Sequence, residues 1–523
     1  MKLRIDQIDF LKNQIIDNLR MGEKALLAQS CTGYGKTIVA MHLAHHMRER
    51  GGFNILFCVH KRDIFLQTVE KMVKFGKYPL HFICSDQDRQ DAYRIMSEAG
   101  RFNGLSLSQN DNAVVVAMIP TLVRRHANNL EGLFAHLWGH DRKGVFTIID
   151  EAHHVAAATW LKLFSDILHQ EGKKNLITGF TATPERGDGG GLALGKGGIF
   201  TKLVMGLPML DCVKKGILCP IRIIAPPNSV RREDIRRKNK DFDDKDSKRK
   251  MDEIQGALIE HYQKYLGSAK KTLGFYVSIK HCEDIADSFN AAGIPTRAIH
   301  GELDIWERRR IMKEYEAGEI KHLTSCDLLG EGVDFPAVDG VQDACPTLSR
   351  VKLFQHLGRG MRMAAGKGKT TILDHAGNTL PDAFGHPYLP VNWNFYGKHF
   401  RKETQEREKS SPRAVYCPKC LSCNLPTERY CTECGTLLQF NNSPDIRVNE
   451  NVELQEHSFG DDAFMHAYND VWKCKNEDDI EHMAAKYGLT SDWVRNIIPL
   501  WRDFSDGVNL FNHKYINHGE NSQ

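Results

Sequence analysis

Short apolar runs recur between longer stretches of mixed polarity over the first third of the chain. They are ALLAQS (25–30), ILFCVH (55–60), VVVAMIP (114–120), VFTIID (145–150) and LITGFTAT (176–183). Each has the length of a buried strand, and the segments between them are long enough for helices, so the alternation predicts a parallel sheet with helices on both faces. A second series repeats the pattern: TLGFYVS (272–278), TRAIHG (296–301), HLTSCD (322–327), GVQDACP (340–346) and TTILDHA (370–376). The expected fold class is therefore α/β, with two tandem parallel-sheet domains over 1–220 and 221–395 and a cleft between them.

Polar segments separate these blocks. RREDIRRKNKDFDDKDSKRK (231–250) has ten basic and six acidic residues, with Ile235 and Phe242 as its large apolar ones, and cannot form a core. It is either a solvated linker or an arm that contacts phosphates. KHFRKETQEREKSSPR (398–413) precedes a cysteine cluster, expected as a module over 396–440, and a helix-rich tail is expected within 441–523 after a polar, aperiodic stretch from 441 to 460.

Composition adds little beyond limits. With 523 residues, 41% hydrophobic and 26% charged, the chain is ordinary for a globular protein of several domains. The net charge of +4 neither demands nor excludes a polyanionic partner. The sequence lacks an apolar run long enough to span a membrane, and MKLRIDQIDF carries no signal-type apolar core, so a cytoplasmic protein without a membrane partner is expected.

After the first strand comes SCTGYGKT (30–37), followed by the helical run IVAMHLAHHM. A strand, a glycine turn and a helix start at this spacing make a phosphate cradle. Backbone N–H groups at Gly33 and Gly35 point at phosphate oxygens, Lys36 reaches the β and γ oxygens, and the Thr37 hydroxyl holds Mg²⁺. Thr32 and Tyr34 belong to the same loop. Ser30 stands where the usual pattern has glycine. VFTIIDEAHH (145–154) is a strand ending on two carboxylates: Asp150 is placed to hold Mg²⁺ and Glu151 to polarise the water that attacks the γ-phosphate.

DEAH (150–153), TAT within GFTATPER (179–186) and QHLGRGMR (355–362) together resemble the motif set of superfamily 2 DEAD/DEAH-box helicases and translocases over roughly residues 1–380. The resemblance implies two RecA-like domains and ATP as the cofactor. LRIDQ (3–7) resembles the segment that reads adenine, through Arg4 and Gln7. LLGEGVDFP (328–336) resembles motif V, which puts Gly332 and Asp334 near the nucleotide. QHLGRGMR resembles motif VI, which makes Gln355 a sensor and Arg359 and Arg362 arginine fingers. CVHKRD (58–63) and MIPTLVRR (118–125) resemble the two motifs that grip a nucleic-acid backbone, through Lys61, Arg62, Thr121, Arg124 and Arg125. The DEAH and GFTATPER forms, IHGEL (299–303) and ILDHAGN (372–378) look closer to the bacterial and phage DNA repair branch, with its RadD-like and UvsW-like proteins, than to RNA-processing DEAH enzymes. That implies an ATP-dependent DNA helicase or translocase acting on duplex, forked or single-stranded DNA. The alternatives are an RNA helicase, the motor subunit of a restriction or defence complex, and a regulator that binds ATP without hydrolysing it.

Five of the 14 cysteines fall within CPKCLSCNLPTERYCTECG (417–435). Cys417 with Cys420 and Cys431 with Cys434 form two C-x-x-C pairs, the ligand set of a Zn²⁺ ribbon. Cys423 replaces Cys420, ligates nothing, or signals an iron–sulfur cluster. DIEHMAAKYGLTSDWVRNII (479–498) has the spacing of a helix-turn-helix, with Ala484, Gly488, Val494 and Ile497 at its structural positions and a second helix from about Thr490. Its partner is DNA or a protein, and an ordinary helical hairpin has the same spacing. A single-strand-binding or recombination protein is the protein partner expected for the ribbon or the tail.

Overall fold

The computed structural model describes residues 2–76, 79–100, 114–128, 143–225, 255–326, 337–380, 383–397 and 463–515, with short pieces at 237–238, 241–242, 244, 247, 415–416, 423–424, 430, 435–436 and 455–457. The chain divides into two compact units. The first holds Met1–Leu207 and takes in the described residues 392–397, and the second holds the other described residues from Pro208 on.

In the first unit β1 (Ala25–Gln29), β2 (Asn54–Val59), β3 (Leu80–Ile83), β4 (Val114–Met118), β5 (Val145–Asp150), β6 (Leu176–Thr181) and β7 (Lys202–Met205) form one sheet. Their order is β3-β4-β2-β5-β6-β1-β7, and every pairing is parallel. β1, β4, β5 and β6 are buried at every position, as strands covered on both faces must be, which is why they read as continuous apolar runs. The edge strands β3 and β7 have four residues each and were not expected, because a short edge strand needs only a few inward apolar side chains. Leu27, Leu56, Val145, Ile149, Phe164 and Ile177 lie in its core. Phe395 joins them, and its carbonyl accepts from the Leu192 N–H at 2.8 Å. Residues expected at the end of the second lobe thus belong to the first unit.

The second unit is built on β8 (Ile221–Ala225), followed by a small antiparallel hairpin of β9 (Arg237–Lys238) and β10 (Asp241–Phe242). Its main strands are β11 (Thr272–Phe275), β12 (Thr296–Ile299), β13 (His322–Ser325), β14 (Gly340–Asp343) and β15 (Thr370–Asp374). A separate two-residue pairing joins β16 (Val415–Tyr416) to β17 (Cys423–Asn424), and β18 (Gln455–His457) adds to the main sheet. The order is β12-β13-β11-β14-β15-β8-β18, parallel except for β18 on β8. All five expected strands of this lobe are present. β18 corrects the expectation of an aperiodic coil up to residue 460: three residues suffice to extend an exposed edge by backbone pairing alone.

One further expectation changes. The polar stretch 231–250 is not wholly a solvated linker, because it contains the hairpin, and Asp241 accepts from the Leu348 N–H at 2.6 Å and the Thr347 hydroxyl at 2.7 Å. The tail forms helices Ala463–Asp470, Glu477–Lys486 and Ser491–Tyr515. Gly488, at φ +65°, supplies the left-handed turn between the last two. The second helix packs one face on its own unit. Its Trp493 and Ile497 are buried, Asp492 is ion-paired with Lys215, and Asn496 donates to the Lys215 carbonyl at 2.7 Å. Among the described residues no helix is long and apolar enough to cross a membrane.

Candidate nucleotide-binding and nucleic-acid sites

The phosphate loop sits where β1 ends. Gly33 and Gly35 have φ of +85° and +93°, values that a side chain resists, and Gly35 leads directly into the helix Lys36–Glu49. Ser30 is fully buried, and its N–H donates to the Thr181 carbonyl at 3.1 Å. The structure accommodates this departure from glycine across the sheet edge: a Cβ on Gly206 would lie 3.1 Å from that of Ser30, so the neighbour after β7 is the one that stays small.

Arg4 and Gln7 grip this loop. The Gln7 amide donates to the Tyr34 carbonyl at 2.9 Å and accepts from the Arg4 N–H at 3.0 Å. The Arg4 guanidinium also donates to the Tyr34 carbonyl, at 2.9 Å, lies 5.2 Å from the centre of the Tyr34 ring, and is paired with Asp6. A Cβ on Gly35 would meet the Gln7 nitrogen at 2.7 Å, so glycine is needed here for space as well as for φ. The two residues expected to read adenine therefore hold the loop's backbone, a use that the sequence pattern does not signal.

Asp150 ends β5 and is buried, and the Glu151 N–H donates to its Oδ1 at 3.0 Å. Burial first, and then the adjacent Glu151 carboxylate, push Asp150 up to about 6, while Lys36 pulls it down. Lys36 is thus the cation whose field reaches this carboxylate from the phosphate loop. Among the described residues Glu151 is the one non-glycine with positive φ, at +49°. Such a backbone costs on the order of 1 to 3 kcal/mol and persists where surrounding contacts hold it. Here the neighbouring His153 supplies them: its Nδ1 lies 3.5 Å from Glu151 and 3.0 Å from the Thr181 hydroxyl. Thr181 in turn donates to the Thr183 carbonyl at 3.2 Å. The sequence shows DEAH and TAT as separate strings, and the fold joins them through this histidine. A Cβ on Gly179 would lie 2.5 Å from that of Ala152, so a glycine in β6 lets the two segments approach.

The residues expected to hold a nucleic-acid backbone divide. Arg124 and Arg125 are exposed, Thr121 accepts from Arg124 at 3.4 Å, and Lys61 is partly exposed just before the helix Arg62–Phe75. Arg62 is held differently. Its guanidinium is clamped by Asp88 at 2.6 Å and by Asp91, both buried carboxylates on the helix Asp86–Glu98. A fork already neutralised by two acids is poorly placed to bind phosphate, and the role it fills is packing one helix onto the next.

In the second unit, Gln355 and Arg359 lie on the helix Arg350–Gly360 and are buried, and Arg362 follows one turn later. Ser349 caps the start of this helix by accepting from the Lys352 N–H. His356 stacks on Phe275 with ring centres 3.7 Å apart and lies 3.4 Å from Asp343. Asp343 accepts from Asn378 at 3.1 Å, and Asp374 accepts from the Asn378 and Thr379 N–H groups. Burial and the nearby Asp343 raise Asp374 to about 6. This network explains DHAGN as a structural brace beneath the arginine-bearing helix. Gly332 and Asp334 lie outside the described residues, as do Cys417, Cys420, Cys431 and Cys434. The backbone of Cys423 pairs with Tyr416. Among the described residues no three or more His, Cys, Asp or Glu side chains gather where they could hold a metal ion.

Residues 1–186 match the family model for the type III restriction enzyme res subunit, and residues 255–364 match the helicase conserved C-terminal domain. A Saccharomyces cerevisiae protein bearing the name ATP-dependent helicase IRC3 is 27% identical over 387 residues, 72% of this chain and 51% of that one. The chain thus spans about half the length of this relative. A 51.5 kDa protein of Lactococcus phage (isolate 7-9) is 25% identical over 82% of each chain. The solved structure of the ATP-dependent type ISP restriction-modification enzyme LlaBIII bound to DNA overlaps 76% of this chain and 29% of its own, with a TM-score of 0.50 and 18% identity, a likeness of fold. The two matches fall, in order, on the parallel sheets of the first and second units, so each unit is similar to one of these domain families.

Proposed function

We propose that this protein couples ATP hydrolysis to movement along, or remodelling of, duplex or branched DNA in repair, recombination or replication. The observation that carries the reading is the first unit's site: a glycine loop after β1 opens a helix on Lys36, and β5 ends on a buried Asp150 followed by a left-handed Glu151. The donors fit a hard divalent cation, since two adjacent carboxylates resist joint ionisation until a cation offsets them. Thr37 and Asp150 would hold Mg²⁺, which neutralises phosphate charge when bound. Glu151 orients the attacking water, Gln7 and Arg4 hold the loop and present the remaining amide capacity to adenine, and Gln355, Arg359 and Arg362 respond to the γ-phosphate, with Gly332 and Asp334 beside the nucleotide. Lys61, Thr121, Arg124 and Arg125 hold the backbone of the nucleic acid.

DNA is favoured over RNA by the RadD-like and UvsW-like segments and by the DNA-bound restriction-modification enzyme of similar fold. The match to the res-subunit model supports a second reading, the motor of a restriction complex whose cleavage activity resides on another chain. ATP hydrolysis measured with single-stranded, duplex, forked and four-way DNA, and with RNA, tests the first: we expect strongest stimulation by a DNA. Stimulation by RNA alone would replace it with an RNA helicase, and no hydrolysis under any condition with a nucleotide-bound regulator.

The four cysteines of the two C-x-x-C pairs supply a complete thiolate set for structural zinc, and Gly435 at φ +69° follows the second pair. Elemental analysis of the purified protein should give about one zinc per chain by that ligand count. Iron with labile sulfide would instead indicate the cluster reading.

A further inference from the structure

We propose that the C-terminal helical module is a positioning element for the turn that carries Arg359 and Arg362, acting through Tyr468. The inference rests on the reading of those arginines as groups that act on the γ-phosphate. Helix Arg350–Gly360 ends at this turn, so its last carbonyls need partners from outside the helix. They find them on two neighbouring segments. The Met361 carbonyl accepts from the Cys219 N–H at 2.8 Å. The carbonyls of Gly360 and Arg362 accept from the buried Lys367 ammonium.

Both segments are held by the tail. Tyr468 is fully buried on the helix Ala463–Asp470, and its O–H is shared between the carbonyls of Val213 at 2.8 Å and Leu218 at 3.0 Å, the latter adjoining Cys219. On the other side, a Cβ on Gly368 would lie 2.3 Å from Asn469 Oδ1 and 3.2 Å from the Tyr468 carbonyl, so the residue after Lys367 is pressed against the same turn of the tail. Trp493 backs the Tyr468 ring edge-on at 5.6 Å and is itself fully buried. The tail thus reaches the arginine turn through 218–219 and through 367–368. A side chain that must meet a transferring phosphate needs its supporting backbone locked, and here part of that lock is contributed by residues after the helicase domains.

The test compares steady-state ATP hydrolysis by the full chain, its Tyr468→Phe, Arg362→Ala and double variants, and Arg502→Ala. Each is assayed with whichever of single-stranded, duplex or forked DNA or RNA stimulates the wild type most. Tyr468→Phe should lower kcat about five- to twenty-fold with KM for ATP within about two-fold, and the double variant should match Arg362→Ala alone. Arg502→Ala loses an exposed ion pair with Glu477 inside the tail and should keep wild-type kcat. Should Tyr468→Phe not fold, Trp493→Phe is read in the same way. Wild-type kcat in Tyr468→Phe overturns the proposal. So does a loss that multiplies with that of Arg362→Ala, or an equal loss in Arg502→Ala. Wild-type hydrolysis by Arg362→Ala is a different result: it removes the arginine reading itself, and the positioning role with it.

Discussion

Lys36→Ala should abolish nucleotide turnover, lowering kcat/KM for ATP by about 10³-fold or more, as loss of a preorganised charge at a transferring phosphate does. Lys36 opens the helix that follows Gly35, and its Nζ lies 3.5 Å from the Ser30 carbonyl, so it is held over the loop rather than extended into solvent. It also draws Asp150 toward its ionised form, against burial and against Glu151. Alanine removes both effects: the phosphates lose their fixed counter-charge, and Asp150 becomes harder to ionise and so a poorer partner for Mg²⁺. Binding of a fluorescent ATP analogue should weaken with turnover. The fold should survive, because Lys36 is only half-buried and its one hydrogen bond to the loop, at 3.5 Å, is long, and an unchanged thermal midpoint checks this. Near-normal hydrolysis by this variant would place the phosphate site elsewhere.

Glu151→Gln separates the two functions that Lys36→Ala removes together. The substitution keeps size and backbone, including the left-handed φ of +49°, and deletes one negative charge. Turnover should fall about 10²- to 10⁴-fold, the range for loss of a positioned general base. Affinity for ATP should stay within a few-fold, because the Glu151 carboxylate is the second-largest influence raising Asp150, and its removal lets Asp150 ionise more readily. Single-turnover hydrolysis beside equilibrium binding of a non-hydrolysable analogue reads both quantities. Retained turnover with intact binding would take the water-orienting role from Glu151. Loss of binding would make the residue a structural member of the turn, held by His153 and Thr181.

The legible parts of this protein are those whose physics is local. Ten strands were readable as short apolar runs because a strand buried on both faces needs an apolar side chain at nearly every position. The phosphate loop was readable because Gly33 and Gly35 take backbone angles that few other residues tolerate next to a lysine and a threonine. Asp150 and Glu151 were readable as charges at the end of a strand that otherwise has none. The readings that changed concern partners. Arg62 has the residue type and the place of a phosphate ligand, and only the packing of a helix some 29 residues on shows it neutralised by Asp88 and Asp91. Gln7 and Arg4 lie in an adenine-like segment, yet their hydrogen bonds go to Tyr34 of the loop.

What the sequence by itself determined is the order and type of the elements and the chemistry carried at their ends, since hydrophobic period, glycine conformation and charge placement are properties of neighbouring residues. What only the tertiary structure decided is which polar groups are already committed to one another. It joins His153 to Thr181 across 28 residues, Asp241 to Leu348 across 107, and Tyr468 to Val213 across 255. Such pairings have no period along the chain. A buried donor must find an acceptor wherever folding brings one, and the free energy of leaving it without one is the same however distant that acceptor lies in sequence.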